Sequence, residues 1–167
     1  VKKLKVFRIS KKIFAELKLN GINCEMAREY AKDLVWEDSA HILENQLYVF
    51  ANQQQRLFVL NGKVEVVVTD SPLIASIIYD GKDDINLRNV VYNEFNRYNN
   101  YNILLKRVAP YEQAGRLQDE EAAKEKDHEF EVMLKHLKIP YEEVDAYPEN
   151  TTMIVRNILT LLKNKSC

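Results

Sequence analysis

The sequence has few cysteines and no long apolar run, and both absences restrict where the protein is expected to work. Only Cys24 and Cys167 occur among 167 residues, too few for the disulfide framework of a secreted domain. No stretch approaches the ~20 consecutive apolar residues of a membrane-spanning helix. The first residues, VKKLKVF, also lack the apolar core of a signal peptide. These features predict a cytoplasmic protein without a membrane segment.

A surplus of charge of either sign is also missing. Lysine and arginine together number 24, aspartate and glutamate 25. Without a basic surplus or a basic, aromatic stripe, the chain is not expected to attract nucleic acid or an anionic membrane. The three histidines and two cysteines show no metal-ligand spacing, which argues against a zinc site.

What the sequence does contain is an alternation of short apolar runs and segments with helical spacing. A chain of 167 residues can form one domain with a full core, so residues 1–167 are predicted to be a single domain. This alternation predicts the α/β class, with helices on both faces of a parallel sheet. The predicted strands lie in LKVF (Leu4–Phe7), INCEMA (Ile22–Ala27), VEVVVTDSP (Val64–Pro72), NILLK (Asn102–Lys106) and YEEVDA (Tyr141–Ala146).

The Val-rich run within Val64–Pro72 is typical of a strand that is buried on both faces. Asp70 comes where this strand ends, followed by Ser71 and Pro72. Ligands of open α/β sheets gather at the carboxyl ends of strands, and a carboxylate beside phosphates commonly holds Mg²⁺. Asp70 is therefore predicted to be a catalytic residue and a metal ligand. The alternative is that Asp70 caps the helix that follows Pro72.

Three segments, in this order, resemble those of P-loop kinases. They are EYAKD (Glu29–Asp33) after the second strand, VVVTDSPL (Val66–Leu73) at the third, and KRVAPYEQAGRLQDEE (Lys106–Glu121) after the fourth. The chain most resembles small phage ATP-binding proteins related to the nicotinamide-ribose kinase domain. The resemblance implies a three-layer P-loop-like fold with a five-stranded parallel sheet of order 2-3-1-4-5. It also implies ATP and Mg²⁺ as cofactors.

The resemblance implies an acceptor site near the end of the second strand. Glu29 would accept the proton of the substrate hydroxyl or position that hydroxyl. Lys32 would reach a phosphate, and Tyr30 and Trp36 would stack on a base or nicotinamide ring. The ordinary alternatives are a solvated glutamate at a helix start, a surface lysine and a buried tryptophan.

The resemblance also implies a lid at about residues 107–120, a segment that contains Pro110 and Gly115. Arg107 and Arg116 of this lid would neutralise the charge that builds up on the phosphoryl group. Alternatively, both arginines pair with neighbouring acids on the surface.

The sequence departs from the family where the cofactor should bind. P-loop kinases carry G-x-x-x-x-G-K-S/T between the first strand and the first helix, and this loop holds the phosphates. Here Phe7 is followed at once by Arg8. The remaining cofactor contacts implied by the resemblance are Arg8 at this junction and Ala146, Tyr147 and Pro148 beside the adenine ring.

Two interpretations of the missing loop remain. Either the natural protein carries about ten further residues between Phe7 and Arg8, enough for this motif, or the loop is deleted and the protein is a pseudo-kinase. We favour the first because the flanking strand and helix patterns are intact. It predicts that Phe7 and Arg8 are separated by much more than the about 3.8 Å between bonded neighbours.

The expected function is that of an ATP-binding phosphotransferase acting on a nucleoside, nucleotide or related small molecule. The alternative is an inactive nucleotide-binding module that regulates a protein partner. An NTPase acting on nucleic acid is disfavoured by the balanced charge.

Overall fold

The computed structural model describes residues 8–106, 108 and 120–165. The helices in these ranges are α1 (Arg8–Leu19), α2 (Tyr30–Trp36), α3 (Gln46–Phe58), α4 (Ala75–Tyr79), α5 (Ile85–Phe95), α6 (Glu120–His136) and α7 (Thr151–Lys165), with 3-10 helices at Ala40–Glu44 and Pro148–Asn150. The strands are β1 (Cys24–Ala27), β2 (Val66–Thr69), β3 (Ile103–Lys106) and β4 (Glu142–Asp145). None of the helices in this part of the chain combines the length and apolar character needed to cross a bilayer.

The described strands form two separate parallel sheets, in which β1 pairs with β2 and β3 pairs with β4. The predicted five-stranded, three-layer fold of order 2-3-1-4-5 is therefore wrong: the described chain is mostly helical, with two small sheets. The physical reason lies in β2, which is half-buried along its whole length rather than buried on both faces. A strand with this exposure lacks the cover that a central strand requires. The predicted strand Leu4–Phe7 lies outside the described residues.

One apolar cluster connects the two sheets. It contains Cys24 from β1 and Val144 from β4, together with Ile13 and Leu17 of α1 and Ile154 of α7. Leu17 and Ile154 are fully buried. The packing of α1 against α7 therefore supports both sheets. A second cluster lies among α3, α4, α5 and α6 and reaches Ala27 at the end of β1.

The end of α1 follows from its sequence, in which Gly21 comes two residues after Leu19. This glycine has φ +77°, in the left-handed region that residues with a Cβ rarely adopt. The N–H of Ile22 donates to the carbonyl oxygen of Leu17 at 3.1 Å, which closes a helix C-cap of the Schellman type. This turn directs the chain from α1 into β1.

Candidate functional site

The carboxyl ends of β1 and β2 lie side by side. Ala27 pairs with Thr69, so the residues that follow the two strands leave the sheet at one edge. Glu29 is the N-cap residue of α2, and Asp70 directly follows β2. Glu29, Lys32 and Asp70 all line one cavity of about 1560 Å³. Three of the residues predicted from the sequence therefore lie on the wall of one cavity.

Residues of both sheets line the cavity. Its wall includes residues of β2 and β3, with contributions from α1, α2, α3, α6 and α7. This volume exceeds the roughly 300–1,000 Å³ of a typical small-molecule pocket, and the space is partly open to solvent. Apolar side chains form much of the wall, and Glu29, Lys32 and Asp70 contribute charged groups to it.

The turn that carries Asp70 is fixed by the residues on either side. The Thr69 hydroxyl accepts a hydrogen bond from the N–H of Ser71 at 3.1 Å and donates to the Ser71 carbonyl oxygen at 3.2 Å. Asp70 itself is exposed. The helix after Pro72 begins only at Ala75, with Ile74 in the N-cap position. Asp70 is therefore not in the N-cap position of that helix, and it is one of the residues that line the cavity.

Arg56 of α3 holds the connection that carries Glu29. Its Nη2 lies 2.6 Å from Oδ2 of Asp33, and its Nη1 donates to the carbonyl oxygen of Arg28 at 3.0 Å. The guanidinium also lies 5.1 Å from the ring centroid of Tyr30. These contacts tie the start of α2 to α3. Glu29 lies between Arg28 and Tyr30 in the sequence, and its side chain makes no hydrogen bond that caps α2.

Gln53 of α3 makes a further contact to the same connection. Its Oε1 accepts a hydrogen bond from the N–H of Tyr30 at 2.9 Å. Its Nε2 is buried and has no hydrogen-bond partner among the described residues. A buried donor without a partner costs about 1–3 kcal/mol. Sequence reasoning missed Gln53 and Arg56, although their three-residue spacing in NQQQR places them on one face of a helix.

Two predicted substrate contacts lie outside the cavity wall. The Tyr30 hydroxyl is hydrogen-bonded to that of Tyr48 at 3.3 Å, and the rings pack edge to face with centroids 6.0 Å apart. The hydrogen bond to Tyr48, with burial as a second cause, raises the pKa of Tyr30 to about 12. Trp36 is 66% exposed, so the alternative of a buried tryptophan is wrong.

The predicted adenine contacts follow β4, at the carboxyl end of the second sheet. The N–H of Ala146 donates to the carbonyl oxygen of Lys106 at 2.9 Å, and Tyr147 is partly exposed. The ammonium of Lys12 in α1 donates to the carbonyl oxygen of Pro148 at 2.6 Å. Pro148 therefore contacts α1, and the three predicted adenine contacts are not among the described residues that line the cavity with Glu29 and Asp70.

The other predicted site residues are placed only in part. Arg8 is the first residue of α1, the helix that carries Lys12. Arg107 and Arg116, with nearly all of the predicted lid, lie outside the described residues, as does the predicted separation of Phe7 from Arg8.

The residues that follow β1 and β2 suit one mode of magnesium binding. Mg²⁺ is commonly bound through one or two carboxylates, with waters and substrate phosphates completing its shell. Asp70 supplies such a carboxylate. In the part of the chain that the structure describes, no group of three or more His, Cys, Asp or Glu residues could hold a metal. A single carboxylate such as Asp70 suits Mg²⁺ whose remaining ligands are waters and substrate phosphates.

The comparisons with known proteins found no relative. No protein-family model, curated protein or solved structure matches this chain. The resemblance to P-loop kinases therefore rests on the sequence motifs alone.

Proposed function

We propose that this chain is a cytoplasmic phosphotransferase that binds Mg·ATP and acts on a nucleoside, nucleotide or related small molecule. One observation carries the proposal: Glu29, Lys32 and Asp70 line the same cavity where two parallel strands end. Two carboxylates and an ammonium are the groups that phosphoryl transfer uses for metal, proton and phosphate. The buried, unpaired thiol of Cys24 suits a reducing compartment.

Each of the three residues has a separate role in this proposal. Asp70, exposed at the cavity edge, would hold the metal that accompanies the phosphates. Glu29 would take the proton of the acceptor hydroxyl as the bond to phosphorus forms. Lys32, which follows Glu29 by three residues, would bind a phosphate oxygen. Bound magnesium supplies charge neutralisation on the transferring group.

The test is phosphoryl transfer from ATP with Asp70→Asn. The protein is assayed with Mg²⁺ against a panel of nucleosides, mononucleotides and nicotinamide riboside. Asp70→Asn keeps the size of the side chain and removes its charge, so turnover should fall at least about tenfold, or about 1.4 kcal/mol of barrier. Asp38→Asn is the matched control, since Asp38 is an exposed loop residue with φ 55°, where asparagine is well tolerated. Full turnover in Asp70→Asn would contradict the metal role.

A second function is favoured by the absence of the phosphate-binding motif. Phe7 is followed directly by Arg8, the first residue of α1, where G-x-x-x-x-G-K-S/T would stand. A chain without this loop would be a nucleotide-binding module that regulates a protein partner. ATP binding without turnover on any acceptor in the panel would support this function over the first.

A further inference from the structure

The outward surface of α3 carries almost no charge. Arg56 is the one charged residue within Gln46–Phe58, and it is paired with Asp33 of α2. By contrast, α6 has an acidic or basic residue in every turn, as is typical of a helix face in water. In a chain with 29% charged residues, an exposed helix surface so poor in charge is typical of one that another molecule covers.

Four residues of α3 lie along one side of this surface, and we call them the outer stripe. Leu47, Ala51, Gln54 and Phe58 follow one another at steps of four, three and four residues, the spacing with which two helices pack along their length. Leu47 is 61% exposed and Phe58 59%, while Ala51 is exposed and Gln54 half-buried. None of the four is among the described residues that line the cavity. The outer stripe is therefore a surface separate from the candidate site.

We propose that the outer stripe is the contact surface of a two-fold symmetric dimer, in which α3 packs antiparallel to α3 of a second copy of the chain. The spacing of the stripe is symmetric about its middle, so Leu47 lies opposite the partner's Phe58. Ala51 lies opposite the partner's Gln54 and leaves room for that longer side chain. Removal of Leu47 and Phe58 from water drives the association.

The lack of charge on the outer stripe favours a second copy over another partner. A partner recognised by charge, such as nucleic acid or an acidic peptide, finds no side chain of opposite sign on the stripe. In a two-fold interface the same patch faces itself, so a charged stripe would repel its copy and an uncharged one does not. The two Gln54 amides lie on either side of the axis, and each can both donate and accept a hydrogen bond.

Charges at the two ends of α3 favour the antiparallel orientation. Glu44 lies just before α3 and Lys63 shortly after it, and both are exposed. In an antiparallel pair the start of one α3 lies beside the end of the other, so Glu44 comes near the partner's Lys63 at both ends. A parallel pair would bring like charges together. The opposed helix dipoles add to the same preference.

The size of the face indicates how strong the association should be. The 13 residues of α3 span about 20 Å. One helix face of this length covers less than the roughly 800 Å² per partner of a standard interface. We therefore expect a reversible dimer whose population depends on protein concentration.

Sedimentation velocity on the whole chain, at concentrations from about 1 µM to about 1 mM, measures the dissociation constant of the dimer. Leu47→Glu places an acid at the apolar contact, where it would be buried without a partner, yet suits the first turn of α3. We expect it to raise the dissociation constant at least about tenfold. Ala51→Arg keeps a strong helix former and blocks the close approach, so it should have the same effect.

The matched control is Val132→Glu, because Val132 is an exposed apolar residue of another helix, α6. This variant should dimerise as the parent does. Far-UV circular dichroism checks that each variant keeps the helix content of the parent.

Reversed charges test the orientation. Glu44→Lys or Lys63→Glu alone would bring like charges together at both ends of the antiparallel pair and should weaken dimerisation. The double variant restores opposite charges and should recover the affinity of the parent. A double variant that dimerises no better than either single variant would overturn the antiparallel arrangement.

Other outcomes would overturn the dimer itself. They are a parent that sediments as a monomer at every concentration, and a dimer that Leu47→Glu and Ala51→Arg leave intact. A monomer that binds phosphatidylcholine vesicles, and loses that binding in Leu47→Glu, would assign the outer stripe to a lipid surface instead. Because the stripe is separate from the cavity, a dimer that transfers no phosphoryl group would contradict the proposed function and leave this inference standing.

Discussion

The two sheets have the same local geometry and different surroundings. Each is a parallel pair with four paired positions. In the first sheet, both ends of β1 are buried, and the residues after the strands line the cavity. In the second sheet, three of the four residues of β4 are exposed acids, and Lys106 pairs with Glu143 on the surface.

The comparison shows what turns a strand end into a candidate site. The first sheet has α3 packed beside it, and Gln53 and Arg56 of that helix hold the connection after β1. In the second sheet, the corresponding element is α1, whose Lys12 ammonium donates to the carbonyl oxygen of Pro148, while the N–H of Ala146 donates to the carbonyl oxygen of Lys106. A strand end supplies polar groups, and a third element gives them a fixed position.

We expect the largest effect from a substitution in the apolar cluster that contains residues of both sheets. Ile154 of α7 is fully buried in the cluster that contains Cys24 of β1 and Val144 of β4. Ile154→Ala should lower the free energy of unfolding by about 2–5 kcal/mol through lost burial and a cavity, measured by urea denaturation. Met153→Ala on the same helix is the control, since Met153 is 45% exposed.

Hydrogen exchange completes this test. Because the cluster supports both sheets, the amides of β1–β2 and β3–β4 should lose protection together in Ile154→Ala. Loss confined to one sheet would mean that the two are supported independently.

We expect a smaller effect on stability from two substitutions that compare the sheets, one beside each. Arg56→Met removes the ion pair with Asp33 and the hydrogen bond to the carbonyl oxygen of Arg28. The side chains of Arg56 and Asp33 are 29% and 33% exposed. We expect a loss of about 0.5–1 kcal/mol in urea denaturation, in the range of a partly exposed pair. Lys106→Met removes the corresponding pair of the second sheet and should leave the melting temperature unchanged, because that pair is more exposed. Equal losses in both variants would contradict the special role of α3.

The smallest effect is a change in titration rather than in stability. The pKa of Tyr30 is raised to about 12, chiefly by its hydrogen bond to Tyr48. Tyr48→Phe keeps the ring packing and removes that bond, so the pKa should move towards the usual value of about 10. An NMR titration of the Tyr30 ring measures it directly, with Tyr92→Phe at an exposed position as the control.

The sign of the associated pH dependence follows from the raised pKa. The folded state holds the Tyr30 proton more tightly than the unfolded state does. The resulting stabilisation is present below the unfolded pKa near about 10 and is lost as pH rises through about 12. An unchanged titration in Tyr48→Phe would show that another group raises the pKa.

Local pattern was sufficient to find the four described strands, but not to arrange them. Each observed strand falls inside a predicted run, such as β2 inside Val64–Pro72, because short β-branched or apolar runs between turn residues have a local signature. Sheet order depends on which strands find each other across the chain, and no local pattern in the sequence contains that information. The five-stranded arrangement was inferred from the resemblance, and it failed.

The residues of the candidate site could likewise be predicted only in part. Glu29 and Asp70 could be predicted because both follow strands, and the carboxyl ends of paired parallel strands meet at one edge. Gln53 and Arg56 could not, because their partners Tyr30 and Asp33 are 23 residues away in the sequence. Trp36 was assigned to the substrate by its residue type, yet it lies exposed to solvent.

The contact between α1 and α7 has a consequence for the order of folding. The Thr151 hydroxyl donates to Oε1 of Glu16 at 3.0 Å across 135 residues, whereas each parallel pair is closed by a much shorter crossover. The entropy lost on closing a loop grows with its length, so each crossover can close at lower cost than the contact between the first and last helices. That contact belongs to the cluster that contains residues of both sheets. We therefore expect the two sheets to become mutually stabilising only when the first and last helices meet.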